Sequence, residues 1–205
     1  MNTPPYRIVT PRTVIRCYQP EDAGALQAAI TASVEHLKPW MPWAHAEPEE
    51  LETRVQRLRG FRGRFDLDQD YVYAIFGYGE ARLIGGTGLH PRVGPDALEI
   101  GYWTHVDQVG KGYATEVAAA LTRVAFEISE VRRVEIRCDP ANLPSAAVPR
   151  KLGYLHEATL RGRSTTETGA PRDLMIWAMF GDTYAESPPA SAGLQAFDAA
   201  GRRVL

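Results

Sequence analysis

Apolar residues recur along this chain with two different periods, and each period marks a different kind of element. The opening stretch "RIVTPRTVIRC" holds two short β-like pieces. In the second, Ile15 and Cys17 fall on one face and Val14 and Arg16 on the other. Pro20, Glu21 and Asp22 read as a helix first turn, where proline forfeits no hydrogen bond and acids suit the positive end. That helix continues through "AGALQAAI". Strand patterns return at "YVYAIFG" and "RLIGGTGLH", joined across "YGEA", and again at "ALEIGYWT". Val117, Leu121, Val124 and Ile128 then switch to the helical period and predict about four turns. "RRVEIRC" alternates once more, with Val134, Ile136 and Cys138 opposed to Glu135 and Arg137. "DPANLPSAAVPRKLGY" reads as a turn, a short helix and a turn at Gly153, and "RDLMIWAMF" closes the pattern as a strand.

Two segments interrupt this rhythm. "HLKPWMPWA" carries two prolines, which exclude a long regular helix, so Trp40 and Trp43 pack on the body as core or as the wall of a pocket. Further on, Glu47, Glu49, Glu50 and Glu52 precede Arg54, Arg57, Arg59, Arg62 and Arg64. Acids early and bases late fit a helix dipole, and the spacing permits i,i+3 and i,i+4 pairs. A solvated helix is expected there; an arginine face for an acidic substrate or phosphate is the rival.

Adjacent strands ahead of a central strand–helix–strand unit imply a mixed α/β sheet covered by helices. Residues 12–184 form the expected domain. Residues 185–205 are rich in small residues and weakly patterned, and are expected to be a flexible tail outside the core, with Leu194 and Phe197 able to dock locally.

The 205 residues are 44% apolar with a formal charge of −2, enough for a sizeable core and no global attraction to nucleic acid or an anionic membrane. No direct nucleic-acid partner, no membrane span and no metal site is expected. Cys17 and Cys138, each inside an alternating run, read as buried reduced thiols in a cytoplasmic protein.

Candidate chemistry centres on "VGKGYATEV" at Val109 to Val117. A P-loop fails there twice: His105 stands where its first glycine belongs, and Gly112 where a hydroxyl must follow Lys111. A dinucleotide fingerprint fails at Thr115. What remains is either a turn with a helix cap, or inward-turning amides ahead of a helix that hold a phosphate beside Lys111.

The run "LEIGYWTHVDQVGKGYATEVAAALTRVAFE", followed by "RRVEIRCDPANLPSAAVPRKLGYLHEATLRG", resembles the GNAT superfamily of N-acetyltransferases. Within it, the chain resembles the RimJ/RimL-like branch that acetylates N-termini of ribosomal proteins; "HLKPWMPWA" and "RDLMIWAMF" are similar to that branch too. The order of "EIGYW", "CDPAN", Ser145 and "KLGY" around the glycine pair makes the likeness specific. It implies the GNAT acyl-CoA N-acyltransferase fold, a largely antiparallel mixed sheet flanked by helices and splayed between its two central strands. It implies acetyl-CoA as cosubstrate and a homodimer. Gly112 and Ala114 fall on the last two positions of the family's Q/R-x-x-G-x-G/A element. Around them, the amides of Gln108, Val109, Gly110, Lys111, Tyr113 and Thr115 would complete a pyrophosphate cradle. Backbone around Trp103, Thr104 and Val106 would pair with the pantetheine arm. Asn142 would touch that arm or cap the next helix, and Ser145 would serve the departing thiol. Two residues depart from the pattern: Val109 stands where glutamine or arginine opens the element, and Pro149 stands where the family's helix usually continues unbroken.

Direct transfer from a thioester needs a neutral amine, an oxyanion donor and a proton for the thiolate. An α-amine of pKa near 8 is already roughly a tenth neutral at pH 7, whereas a lysine amine is neutral in under about a thousandth of molecules. A protein N-terminus is the favoured acceptor; antibiotic- or polyamine-like small amines, and a non-catalytic acetyl-CoA-sensing module, are the alternatives. Glu99 interrupts an apolar strand and is the first candidate to receive the proton and to meet the acceptor beside Trp40 and Trp43. Glu167 is its rival, His105 a weaker base, Ser145 or Tyr154 the donor to sulfur, and the Val106 amide the oxyanion donor.

Overall fold

In the computed structural model, which describes residues 2–166 and 169–205, each strand read from alternation is present. These are β1 (Arg7–Val9), β2 (Thr13–Cys17), β3 (Tyr71–Gly77), β4 (Leu83–His90), β5 (Ala97–Thr104) and β6 (Arg133–Cys138). Two more strands flank the closing one: β7 (Leu155–Thr165), β8 (Pro171–Phe180) and β9 (Gln195–Phe197). They form one sheet in the order β7-β8-β6-β5-β4-β3-β2-β1-β9. The β7 segment "LHEATLRGRST" escapes a periodicity reading because most of it is exposed on both faces.

Of the neighbouring strand pairs among the described residues, β5–β6 alone is parallel. A parallel pair needs a crossover, and the helix α3 (Tyr113–Glu127) supplies it. Its Val117, Leu121 and Val124 pack with Ile15, Ile75, Leu98, Val134 and Ile136 on one face of the sheet. The opposite face, carrying Val14, Ala74, Phe76 and Leu83, takes Leu26 and Ile30 of α1 (Ala23–Leu37) and Leu58 of α2 (Leu51–Asp66). Ile15 and Val14 thus point to opposite layers, as their alternation requires.

The charged segment is not the wholly solvated helix expected. α2 starts only at Leu51, so Glu47 and Glu49 precede it and fold back onto it. Arg54 is 1% exposed, with Nη2 2.6 Å from Glu47 and 3.8 Å from Glu49, and Glu49 also meets Arg57. A buried guanidinium is tolerated because carboxylates accompany it. Along α2 the i,i+4 spacing is used by Gln56 with Glu52 near its start and by the ion pair Arg62–Asp66 at its end.

Nor are residues 185–205 a tail outside the core. β9 pairs antiparallel with β1, its Ala196 is fully buried, and Tyr6 N–H donates to Phe197 O. Arg123 of α3 donates to the Ala192 carbonyl at 2.8 Å, and the last residues hairpin back, Val204 N–H donating to Ala196 O. The cause is β1 itself: without β9, its three residues would leave an open edge beside buried Ile8. Deleting residues 193–205 is expected to lower unfolding stability by about 2 kcal/mol, the scale of one large apolar side chain returned to water. Chemical-denaturant midpoints of the full and shortened chains check this.

Candidate active site

β5 and β6 pair over Ala97–Glu99 against Arg133–Glu135 and then part. β5 continues to Thr104 along β4, and β6 continues to Cys138 along β8. From Ile100 onward the β6-facing edge of β5 has no strand partner. A cavity of about 760 Å³ runs from this opening over the β4–β5 face toward α1 and α2.

Trp40 and Trp43 both line that cavity, as does Trp103 of β5. Trp43 and Trp103 meet edge-on, centroids 6.1 Å apart. Trp103 lies flat because Gly86 faces it across the strands: a Cβ there would stand 2.5 Å from the indole Nε1. The Pro39–Pro42 interruption lets the chain leave α1 and turn Trp43 inward, so the pocket-wall reading of "HLKPWMPWA" holds geometrically.

Glu99 also lines the cavity and is 7% exposed. Arg92 grips both of its oxygens, at 2.6 and 3.0 Å, and Arg137 stands 3.9 Å away. Both carboxylate oxygens of Glu99 are thus engaged by guanidinium donors of Arg92. Glu135, one strand over, is held in the same manner by Arg133 and Arg137.

At the seam, Tyr102, Cys138, Asn142 and Ser145 line the cavity together. Asn142 Oδ1 accepts from Ser145 N–H at 3.1 Å and caps α4 (Leu143–Lys151), so of its two expected roles the geometry displays the cap. Pro149 sits inside α4 without ending it. Having no N–H, Pro149 leaves the Ser145 carbonyl without its helical donor. The Tyr102 hydroxyl takes that place at 3.1 Å and lies 3.3 Å from Ser145 Oγ. Burial holds the Tyr102 hydroxyl protonated well above the usual phenol range. Burial also pushes the Cys138 thiol up, partly offset by the adjacent Ser145 hydroxyl.

Beyond β5 comes the glycine segment. Gly110 and Gly112 have φ of 76° and 82°, and Gly112 is the N-cap of α3. Among the described residues, the amides of Gly110, Lys111, Gly112, Tyr113, Ala114 and Thr115 find no acceptor. Six consecutive open donors at a helix N-terminus are the fit an anionic diphosphate requires. Lys111 Nζ lies 3.3 Å from Gln108 Oε1, Gln108 is buried, and Val109 is exposed. Sequence reasoning missed Arg12, about a hundred residues upstream. Its guanidinium donates to Lys111 O at 3.0 Å, pairs with Glu116 and covers the Tyr113 ring. Nothing in the local pattern around Arg12 announces this contact.

Three expectations are corrected. The Val106 amide is taken by Ser33 Oγ at 3.0 Å and is no free oxyanion donor; the Thr104 side of β5 keeps its open edge. His105 Nδ1 accepts from Asp107 N–H and closes a turn. Tyr154 is buried beneath α3, its hydroxyl 2.6 Å from Thr122 Oγ1, far from the role of sulfur donor. Glu167 lies outside the described residues. A further pair, unannounced by sequence, faces the cavity: His90 Nδ1 stands 2.6 Å from Asp70 Oδ1.

Comparison with known proteins bears on the family and the fold. A family model described as the acetyltransferase (GNAT) domain matches residues 12–155. The chain is similar to the putative ribosomal N-acetyltransferase YdaF of Bacillus subtilis, 32% identical over 173 residues that cover 83% of this chain and 92% of that protein. It is similar to the ribosomal-protein-serine acetyltransferase of Escherichia coli, 26% identical across 60% of this chain and 70% of the relative. A solved probable acetyltransferase, 27% identical, superposes with a TM-score of 0.77 over 84% of this chain and 95% of its own. Mycobacterium smegmatis RimJ, solved in complex with CoA-disulfide, shares the fold at 23% identity and a TM-score of 0.75, over 89% and 91% of the two chains.

Gly112→Ala tests the loop directly. A Cβ there meets only Arg12 at 3.5 Å, so space is available, but φ of 82° is unfavourable for alanine. The substitution is expected to cost about 1–2 kcal/mol in a denaturant titration.

Proposed function

We propose, for a chain that belongs to the acetyltransferase (GNAT) family and is an acetyl-CoA-dependent N-acetyltransferase, that the acceptor is a protein N-terminal α-amine. The observation that carries the reading is the pairing of six open amides at Gly110–Thr115 with the unpartnered edge of β5, which leads into an aromatic-walled cavity. The amides suit the pyrophosphate of acetyl-CoA, with Lys111 and Arg12 as nearby cations. The edge of β5 from Ile100 to Thr104 suits the amide-bearing pantetheine arm, and the cavity suits the acceptor.

When bound, acetyl-CoA supplies an activated thioester carbon; this chain supplies position and electrostatics. Trp40, Trp43 and Trp103 shape a dry wall for the amine-bearing group. An α-amine demands little of a base, since roughly a tenth is neutral at pH 7. That favours orientation and desolvation as the main terms. Tyr102 gives its one hydroxyl proton to the Ser145 carbonyl and so positions Ser145, whose own hydroxyl is the hydrogen-bond donor to the departing sulfur. Glu99, with Arg92 and Arg137, keeps the cavity floor polar where it meets the acceptor. The names of the relatives support a ribosomal protein as the acceptor. Ribosomal acceptors place the enzyme in the cytoplasm, where Cys17 and Cys138 stay reduced, and a homodimer belongs to the same reading, checked by light scattering.

Thioester consumption with product identified by mass spectrometry, across N-terminal peptides and small amines, tests the acceptor. Peptides with free α-amines are expected to turn over; if only a small amine does, the protein-N-terminus reading is wrong, and binding without product marks a sensing module. Arg12→Ala is expected to raise the acetyl-CoA KM roughly tenfold, about 1.4 kcal/mol, with kcat nearly unchanged. Steady-state kinetics at saturating acceptor decide it.

A further inference from the structure

Glu99 carries the sequence-based expectation for proton transfer, yet guanidinium groups occupy it. His90 stands directly opposite Glu99 in the β4–β5 register and is arranged differently. Its Nδ1 is 2.6 Å from Asp70 Oδ1, just before β3. An ionised carboxylate only accepts, so in the neutral ring this contact selects the tautomer with its proton on Nδ1 and its lone pair on Nε2. Nε2 lies over Gly88 and Gly101: a Cβ on Gly88 would stand 2.5 Å from it, and one on Gly101 3.3 Å. Those two glycines face each other across β4 and β5. Gly101 is the second residue beyond the last β5–β6 pair, so the ring rests on bare sheet where the seam opens. Both His90 and Asp70 line the cavity.

The geometry points to His90 as the general base that takes the proton of the acceptor amine, with Asp70 as the positioning residue that fixes its tautomer. This deepens the transfer reading and rests on it. As the nitrogen lone pair forms the C–N bond, one N–H proton passes to Nε2. The C–S bond breaks with its electron pair on sulfur. The imidazolium then gives its proton to solvent, and the thiolate takes one up to leave as thiol. Base and orienter within hydrogen-bond reach are the arrangement such a step requires. The charged groups that line the cavity with His90 are Asp70, Arg92, Glu99, Arg137 of β6, Asp139 just after it, and Arg54 and Arg57 on α2. None but Asp70 bonds His90 among the described residues.

The test uses the full chain with acetyl-CoA and a peptide that the wild type acetylates. His90→Ala is expected to lower kcat about 100-fold, while acetyl-CoA KM and the unfolding midpoint stay close to wild type. Imidazole added to solution restores part of that rate and leaves the wild type unchanged. His90→Gln, the closer isostere, abolishes the fall of kcat toward acid pH. Asp70→Asn lowers kcat and moves that acid limb to lower pH, which a merely structural hydrogen bond would not do. Gly88→Ala, which keeps the imidazole but fills its place, also lowers kcat. A His90→Ala chain that keeps kcat within about threefold, or a slowed one without imidazole rescue and with the acid limb intact in His90→Gln, overturns the inference. A folded wild type that acetylates no amine at all overturns the transfer reading instead, an outcome the His90 variants cannot imitate.

Discussion

Between Ala97–Glu99 and Arg133–Glu135, two neighbouring strands bond in parallel for three residues and then separate while each keeps its other neighbour. That arrangement sets most of the remaining architecture. Because β5 and β6 run parallel, the chain must cross the sheet between them, and α3 is that crossing. The N-terminus of α3 therefore emerges just past the end of β5, where its open amides meet the free strand edge. A fully antiparallel sheet would give neither the free edge nor the helix terminus beside it.

The face of the sheet that lines the cavity is built differently from the face under α3. Under α3, side chains such as Leu98, Ile100, Val134 and Ile136 fill the space between layers. On the cavity side, Gly86, Gly88 and Gly101 leave the pleat bare, so Trp103 and His90 lie flat on the backbone. Next to this trough, Glu99 and Glu135 are nearly buried, and each is countered by two arginines. Removing any of these charges from water is expensive unless partners compensate, so the strip acts as one unit.

A similar dependence joins α4 to β5. Pro149 breaks a helical hydrogen bond, and the freed Ser145 carbonyl is met by Tyr102. A residue that looks like a helix defect in the chain thus ties the two sides of the seam together. It also explains why α4 continues through a proline: the carbonyl that proline orphans already has a donor.

The sequence by itself determined the layered α/β plan, because alternation and helical spacing depend only on near neighbours. It also located the glycine turn, since two glycines followed at once by a helical pattern mark a helix start from near neighbours alone; that both are left-handed was decided by the structure. Trp40, Trp43 and Glu99 were legible for a similar local reason, as interruptions of a pattern, whereas Ser145 was named only through the likeness to a family. The order of likeness to a family extended that reading to the seam. What only the tertiary structure decided are contacts between residues far apart in the chain. Arg12 reaches Lys111 and Glu116, Ser33 takes the Val106 amide, and β9 closes the edge of β1. Asp70 and His90 meet because antiparallel pairing of β3 and β4 brings their ends together, and pairing register is set by packing rather than by either residue. Arg54 shows the limit most plainly: charge order predicted a solvated helix, but whether an arginine faces water or carboxylates in a core depends on what folds over it.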